Sequence, residues 1–285
     1  MTNRLPILLF YPHGTFVRPP EGSGDGGDEL FGGYRRYLAG KMNKTYLSLP
    51  KTLRRCIVEP MVGLLPAPGG YYGRSVAKKA KLFVQSAARM EKNPLAVSPR
   101  IFADTEITTL FPGLNLPPLQ DDPLLLAASS HRNDNVVETM LRSDFLTYLP
   151  DDILVKVDRM SMYNSLEVRC PFLDHRVVEL AYQMPMKLKI KGFTSKYVLR
   201  RLAEKGLPPQ IVKRSKQGFM VPLDVWFRSK LKTFIHDVIN DVGALWERNR
   251  ALNLLEEHLS GRHDHAPKLW AMAVLGLWLK KMNNG

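Results

Sequence analysis

The sequence SGDGGDELFGGYRRY, at residues 23 to 37, combines closely spaced glycines with acidic side chains in a chain that is otherwise basic. Asp25, Asp28 and Glu29 fall among these glycines. Glycine lets the backbone turn tightly and approach a ligand, and carboxylates are the hard oxygen ligands that divalent cations prefer. Because the residues do not follow the twelve-residue spacing of an EF-hand, the stretch predicts either another kind of ligand-binding loop or a solvated turn.

The composition indicates a globular protein with an anionic partner. The chain has 285 residues, 45% hydrophobic residues and a formal net charge of +14. That charge suits a nucleic acid, an anionic membrane surface or a nucleotide pyrophosphate, and it does not choose among them. Cys56 and Cys170 form no CxxC pair, so we expect a cytoplasmic protein without a disulfide framework. The apolar runs are too short for a secretory signal or a membrane span, which predicts no membrane partner.

The regions flanking this loop differ from each other. Residues 1–22 contain several prolines and little periodicity, so we expect an atypical N-terminal segment with one short strand. After the loop, GYRRYLAGKMNKTYLSL and KTLRRCIVEPMVGLL place apolar residues three and four apart, as helices do. A later helix, NVVETMLRSDFLTYL, has Asn133 or Asp134 as its predicted N-cap. The chain should therefore be mostly α-helical.

Two further clusters of charged residues could carry chemistry. Asp158, Glu167 and Arg169 lie near CPFLD, an apolar stretch that we expect to be buried. Buried charges need partners, so these residues predict either an ion-pair network or the wall of a site. Further along, KRSKQGFMVP sets Lys213 and Lys216 before a glycine. Such a basic loop suits a phosphate group or simply faces solvent.

Taken in order, these motifs resemble the synthetase domain of the glutamine-dependent asparagine synthetases. The resemblance rests on four stretches, which are SGDGGDELFGGYRRY at 23–37, YLPDDILVKVDRMSMYNSLEVRCPFLD at 148–174, SKYVLRRLAEKGLPPQIVKRSKQGFMVPLDVWF at 195–227 and HLSGRHDHAPKLWAMAVLGLWL at 258–279. It implies an ATP pyrophosphatase domain with a doubly wound parallel sheet. We therefore expect a mostly α chain with a residual α/β portion, divided into an N-terminal segment at 1–22 and a partial asparagine synthase domain at 23–285.

The resemblance also implies a reaction and its cofactors. In that family, ATP and Mg²⁺ activate the side-chain carboxylate of aspartate as an acyl-adenylate, and pyrophosphate leaves. Ammonia derived from glutamine then displaces AMP to form the amide. Negative charge accumulates on the phosphates during the first step, so cations should supply most of the stabilisation. Aspartate and ammonia are the partners that the resemblance implies.

Residue roles follow from the same resemblance, position by position. Those expected against the nucleotide are Ser23, Gly24 and Gly26. Asp28 would help to hold Mg²⁺, and Asp25 would manage protons close to the amino-acid substrate. Lys216 would neutralise the pyrophosphate as both a catalytic and a cofactor-binding residue, with Lys196 directed at the same anionic site. The residues expected to support the substrate are Asp158, Arg159, Glu167 and Arg169.

Some family features are absent from the 285 residues. There is no SGGxDS pyrophosphate loop, and position 2 is threonine instead of the cysteine nucleophile of a glutaminase. The stretch FVRPPEG, which precedes Ser23, contains tandem prolines that disfavour a central strand. We therefore expect an N-terminally truncated chain that is inactive alone and prone to self-association through uncovered apolar surface.

Two alternatives accompany this interpretation. A non-catalytic basic module could bind nucleic acid or an acidic partner, although no aromatic-interleaved basic stripe supports it. Within the same class, related domains amidate other carboxylates or close rings. Aspartate is the expected substrate because asparagine synthesis is the commonest use of these motifs, which is an argument by association.

Overall fold

The structure is a computed structural model that describes residues 9–10, 16–17, 21–65, 76–92, 101–114, 126, 129, 135–212, 214, 221–241 and 245–283. It divides into two compact units. The first unit comprises Met1–Thr45, Asn93–Val97 and Leu119–Ser215. The second unit comprises Tyr46–Lys92, Ser98–Pro118 and Lys216–Gly285.

Helices account for most of the described residues, which confirms the mostly α prediction. In the first half of the chain they are α1 (Gly27–Phe31), α2 (Arg35–Leu47), α3 (Lys51–Leu53), α4 (Glu59–Leu64), α5 (Val76–Lys92), α6 (Asp104–Leu110) and α7 (Val136–Leu146). The others are α8 (Val155–Tyr163), α9 (His175–Gln183), α10 (Met186–Lys189), α11 (Tyr197–Ala203), α12 (Pro209–Val212), α13 (Leu223–Arg228), α14 (Lys232–Asp241), α15 (Arg248–Leu259) and α16 (Ala266–Asn283). Arg54–Val58 and Leu149–Leu154 are π-helical, and Pro171–Leu173 form a 3₁₀ turn.

The described strands are short and all lie in the first unit, and three of them fall within residues 1–22, where one short strand was expected. β1 (Leu9–Phe10) pairs with β2 (Phe16–Val17) in an antiparallel manner. β3 (Glu21–Gly22) pairs with β4 (Val168–Arg169) in parallel, so a two-residue strand does lead directly into Ser23. The doubly wound sheet that the resemblance implies stays a prediction.

The first unit packs α1 and α2 against α7 and the segments that follow it. One apolar cluster joins Tyr37 with Val137, Met140, Leu141 and Ile190. A second joins Leu30, Phe31 and Ala181. The N-cap of α7 is Asn135, whose side chain accepts a hydrogen bond from the Val137 N–H at 3.1 Å. The predicted caps, Asn133 and Asp134, lie outside the described residues.

The second unit has a larger apolar interior. Its buried cluster comprises Leu110, Phe111, Phe227, Ile235, Ile239, Trp246, Ala251, Leu255, Ala266, Leu269, Met272 and Ala273. The backbone carbonyl of Leu110 accepts a hydrogen bond from the Glu247 N–H at 2.7 Å, which fixes the residue before α15. Searching the described helices finds none that is both long and apolar enough to cross a membrane.

Candidate functional site

The acidic loop begins with a hydrogen-bonded link between β4 and its first residue. The Ser23 N–H donates to the Arg169 carbonyl at 2.7 Å, which extends the pairing of β3 and β4. The Ser23 hydroxyl donates to the Asp25 carboxylate, and the Asp25 N–H donates back to the Ser23 oxygen at 3.3 Å. Gly24 is exposed between them. The loop is therefore held by local bonds, with the Asp25 carboxylate oriented by Ser23.

Glycine is required where the loop turns into α1. Gly26 has a φ of +84° and Gly32, at the other end of the helix, has a φ of +70°, both in the left-handed region. A Cβ on Gly26 would also collide with the Leu173 side chain, and one on Gly32 would lie 2.7 Å from Ile190. Without side chains, Gly26 and Gly32 let α1 pack closely against CPFLD and the end of α10. The two glycines are therefore needed for packing as well as for the left-handed turns.

Asp28 and Lys196 meet directly. The Asp28 Oδ1 lies 3.0 Å from the Lys196 Nζ, and both side chains are partly exposed. Lys196 adopts a left-handed backbone conformation with a φ of +51°, which is unusual for a residue with a side chain. Gly33 leaves the space in which the two side chains meet, because a Cβ there would overlap Asp28 and Lys196. The structure thus brings together two residues that the resemblance placed at one anionic and metal site.

The donor set at this position fits Mg²⁺ bound through a substrate. Magnesium is usually held by one or two carboxylates together with phosphate oxygens, instead of an all-protein cage. Asp28 supplies one such carboxylate, 3.0 Å from the Lys196 ammonium. Among the described residues, neither Asp28 nor Asp25 belongs to a group of three potential metal ligands. Lys196 provides an ammonium group that could bind a phosphate oxygen in place of Asp28.

A buried polar network next to the loop was not predicted from the sequence. Asp144 is 3% exposed, and its two oxygens contact the Arg36 guanidinium at 2.8 Å and the Tyr37 hydroxyl at 2.6 Å. The Arg36 guanidinium also lies over the rings of Tyr34 and Tyr148, at 4.9 and 5.1 Å from their centroids. Burial raises the pKa of Asp144, and Arg36 opposes that rise. The network fixes the start of α2 against α7.

Glu29 connects this network to a cavity in the first unit. Burial raises the pKa of Glu29, which accepts a hydrogen bond from the Tyr34 hydroxyl at 2.5 Å. The cavity of about 220 Å³ is also lined by Glu138, Arg142 and Lys189. Lys189 is 5% exposed, and burial lowers its pKa. In the sequence it belongs to MKLKIK, which looks like a surface segment, so nothing local marked it as buried.

The residues expected to support the substrate lie at the surface. Asp158 and Arg159 are exposed on α8, and Glu167 pairs with Arg169 at 2.8 Å, with their side chains 60% and 71% exposed. The Glu167 and Arg169 side chains thus pair with each other, and Arg169 reaches the loop through its backbone carbonyl. The expectation that CPFLD is buried was wrong, because Pro171 is exposed and Phe172 is half-buried. The charges around it form ion pairs at the surface, Glu167 with Arg169 and Asp174 with Arg176.

The basic loop at 213–218 cannot be compared with its predicted role. Lys216, the residue expected at the pyrophosphate, lies outside the described residues, as do Lys213 and Gly218. Arg214 is described, and its N–H donates to the Ile211 carbonyl at 3.3 Å at the end of α12. The role of Lys216 stays a prediction.

Comparisons with known proteins cover most of the chain. The putative glutamine-hydrolysing asparagine synthetase of Mycobacterium tuberculosis is 33% identical over 259 residues, which is 90% of this chain and 38% of that protein. Glutamine-hydrolysing asparagine synthetase 1 of Bacillus subtilis is 30% identical over 258 residues, which is 90% of this chain and 39% of that protein. The chain therefore spans about two-fifths of the length of these curated relatives.

A third relative has another name. The amidase chry2 of Gibberella zeae is 24% identical over 236 residues, which is 76% of this chain and 34% of that protein. No solved structure matches the chain significantly. Residues 23–280, which include the Ser23–Asp28 loop and its Lys196 partner, match the family described as asparagine synthase. On this match, and on the identity to the two synthetases, the chain belongs to the asparagine synthase family.

Proposed function

We propose that this chain is the C-terminal part of a glutamine-dependent asparagine synthetase, a remnant of a doubly wound ATP pyrophosphatase domain. The reaction would be the ATP-dependent amidation of aspartate, with AMP and pyrophosphate as products. The contact between Asp28 and Lys196 carries the proposal, because it joins a carboxylate for Mg²⁺ to an ammonium for phosphate beside the Ser23 loop. The cytoplasm is the proposed location.

Each side chain of the loop has a chemical task in this proposal. Mg²⁺, when bound by Asp28, would neutralise charge on the phosphates. Lys196 would leave Asp28 and bind a phosphate oxygen, while the backbone at Ser23, Gly24 and Gly26 faces the adenylate. Asp25, oriented by the Ser23 hydroxyl, would accept a proton from the ammonia nitrogen as that nitrogen bonds to the acyl carbon and AMP leaves. Lys216 would meet the pyrophosphate.

The 285 residues contain no SGGxDS sequence, so we propose that the chain assayed alone binds ATP without turning it over. Titration calorimetry with ATP and Mg²⁺ tests the binding. Asp28→Ala and Lys196→Ala should each weaken binding by about tenfold, since each removes a charge-assisted contact. Lys191→Ala is the matched control, because Lys191 is an exposed lysine in the same segment that contacts Tyr197 at 3.3 Å.

A pyrophosphate-release assay with ATP, Mg²⁺, aspartate and ammonia tests the second half of the proposal. We expect background release. Release that disappears in Asp28→Ala would show that the chain is active and that the claim of inactivity is wrong. If Asp28→Ala binds ATP as tightly as Lys191→Ala does, the nucleotide does not bind at this site.

The identity of the carboxylate substrate has a second candidate beside aspartate. The relative chry2 is named an amidase and not an asparagine synthetase, so the amidation of another carboxylate is kept as the second candidate within the same class. Thermal shifts measured with AMP and either aspartate, glutamate or an N-acylated amino acid separate the two. We expect aspartate to give the largest thermal shift. A larger shift with another carboxylate would identify that carboxylate, and not aspartate, as the substrate.

Self-association also belongs to the proposal. On α8, Met160 and Tyr163 lie three positions apart on one face and are 61% and 85% exposed, an apolar surface that a second copy could cover. Sedimentation velocity over a range of concentrations should show reversible oligomers that Met160→Lys weakens. A monomer at all concentrations would contradict this.

A further inference from the structure

Three metal-ligating side chains converge in the second unit, where α15 ends and α16 begins. They are Glu257, His263 and His265, and their ligand atoms all lie within 4.8 Å of one another. The Glu257 Oε2 is 2.7 Å from the His265 Nε2 and 3.7 Å from the His263 Nδ1. The two imidazole rings are stacked with their centroids 5.7 Å apart. Two imidazoles and one carboxylate therefore face a common point.

Hydrogen bonds to buried residues fix the backbone at His265. His258 is fully buried, and its Nδ1 accepts a hydrogen bond from the His265 N–H at 3.2 Å. With that acceptor role, the His258 Nε2 is the donor to the Asp224 carbonyl at 3.2 Å. The Asp264 carboxylate accepts from the Ala266 N–H at 3.0 Å and caps α16. His265 is thus positioned by buried groups, whereas His263 and Glu257 reach it from the surface.

The ligand types and their separations suit a zinc-like ion. Zinc sites with two histidines and one carboxylate leave a fourth position for water, and Zn–N bonds of roughly 2.0 to 2.1 Å place tetrahedral ligands roughly 3.3 to 3.5 Å apart. The present separations of 2.7 and 3.7 Å bracket that spacing. Replacing the His265–Glu257 hydrogen bond by a metal requires a small movement of the Glu257 side chain, which is 42% exposed.

The surroundings leave the cluster open to ions from solvent. His263 is 67% exposed. Lys268, a neighbouring cation, is engaged by an ion pair with Glu106. The mixed nitrogen and oxygen donors favour zinc and its neighbours in the first transition row over Mg²⁺ or Ca²⁺, which prefer oxygen ligands alone.

We propose that Glu257, His263 and His265 form a binding site for a divalent transition-metal ion of the zinc type, with water as the fourth ligand. The site lies in the second unit and does not depend on the proposed synthetase function. Its sequence signature is a glutamate followed by an HxH pair after a glycine turn, at Gly261, where φ is +74°.

Titration calorimetry of the full chain with Zn²⁺ in chelator-free buffer tests the site. Wild type should bind one ion that His263→Ala and Glu257→Gln each weaken by about tenfold or more, since each removes a ligand. His236→Ala is the matched control, because His236 is an exposed histidine beside an acid, Asp237, and should leave the affinity unchanged. Co²⁺ should give visible absorption bands of a four-coordinate site in wild type and not in His263→Ala.

His263 is the decisive position because its side chain is exposed and its replacement leaves the fold intact, which circular dichroism checks. Zn²⁺ affinity that is equal in His263→Ala, Glu257→Gln and wild type would overturn the proposal. So would the absence of stoichiometric binding in wild type, or a loss of affinity in His236→Ala as large as that in His263→Ala.

Discussion

Two ion pairs of almost the same length lie in very different surroundings. In the first unit, Arg36 and Asp144 are 2.8 Å apart, and the Asp144 side chain is 4% exposed. In the second unit, Lys280 and Asp241 are 2.9 Å apart, with side chains 58% and 52% exposed. Since the distances match, any difference in their contribution to stability comes from burial and from the number of hydrogen bonds each carboxylate receives.

The interiors around the two pairs differ in the same way. The second unit buries a continuous apolar cluster that includes Phe227, Ile235 and Leu269. The first unit buries smaller apolar clusters and places Glu29 and Asp144 among aromatic rings. Its interior therefore depends strongly on polar groups finding partners, whereas most of the second unit's interior is apolar and depends on shape and apolar area, with His258 as a buried polar exception.

The largest effect is expected from Asp144→Ala. The substitution leaves the Arg36 guanidinium and the fully buried Tyr37 hydroxyl without their shared acceptor. Breaking a buried pair by removing one partner costs about 3 to 5 kcal/mol, because the remaining charge stays desolvated. Urea denaturation followed by far-ultraviolet circular dichroism measures the free energy of unfolding. A loss below about 1 kcal/mol would mean that this pair behaves as a surface pair.

A somewhat smaller loss is expected from Leu269→Ala in the second unit. Leu269 is fully buried on α16, and deleting its side chain should cost about 2 to 5 kcal/mol through lost transfer energy and a cavity. Leu277→Ala, on the same helix but at a position that is 47% exposed, is the matched control. All four tryptophans lie between 226 and 278, so their fluorescence reports unfolding of the second unit. Equal losses in both variants would contradict the assigned core.

A third test uses the pH dependence of the first unit. Burial raises the pKa of Glu29 above its ordinary value of 4.5. Such an acid binds its proton more tightly in the folded state, so its stabilising contribution is present below pH 4.5 and is lost as pH rises through the raised pKa. Glu29→Gln keeps an oxygen acceptor for Tyr34 and removes this titration.

We therefore expect the free energy of unfolding of Glu29→Gln, relative to wild type, to rise as the pH increases above 4.5 and through the raised pKa of Glu29. The effect should be smaller than that of Asp144→Ala because no buried partner is left unpaired. Urea denaturation at a series of pH values measures it. Parallel pH curves for the two proteins would show that Glu29 ionises normally.

Local sequence signals predicted the helices and the loop, because periodicity and glycine spacing act over a few residues. The pattern after Gly33 predicted α2, and the acidic loop predicted either a ligand-binding loop or a solvated turn. Lys196 was expected only through the resemblance, as a residue at the pyrophosphate and not as a partner of Asp28. The actual contact of Asp28 with Lys196 depends on Gly33 leaving space and on the left-handed conformation of Lys196, and neither has a local signal.

The buried polar groups were missed for a related reason. Tyr37 and Asp144 are separated by 107 positions, and nothing in either local pattern indicates the other. The zinc-like cluster is different, since HxH is visible in the sequence at 263–265. Glu257 lies earlier in the chain, within α15. It meets the two histidines only because the chain turns back at Gly261, which the sequence pattern does not show.

The smallest effect is expected from Asp241→Ala. This substitution removes the same chemical group as Asp144→Ala and breaks a contact of nearly the same length, so the two variants compare a buried carboxylate that also accepts from Tyr37 with an exposed carboxylate. Exposed pairs contribute about 0 to 1 kcal/mol, since water solvates both ends and holding a lysine side chain costs entropy. Raising the salt concentration should reduce the loss in free energy of unfolding caused by Asp241→Ala, because exposed charges are screened. A loss comparable to that of Asp144→Ala would show that distance, and not burial, sets the strength of the two pairs.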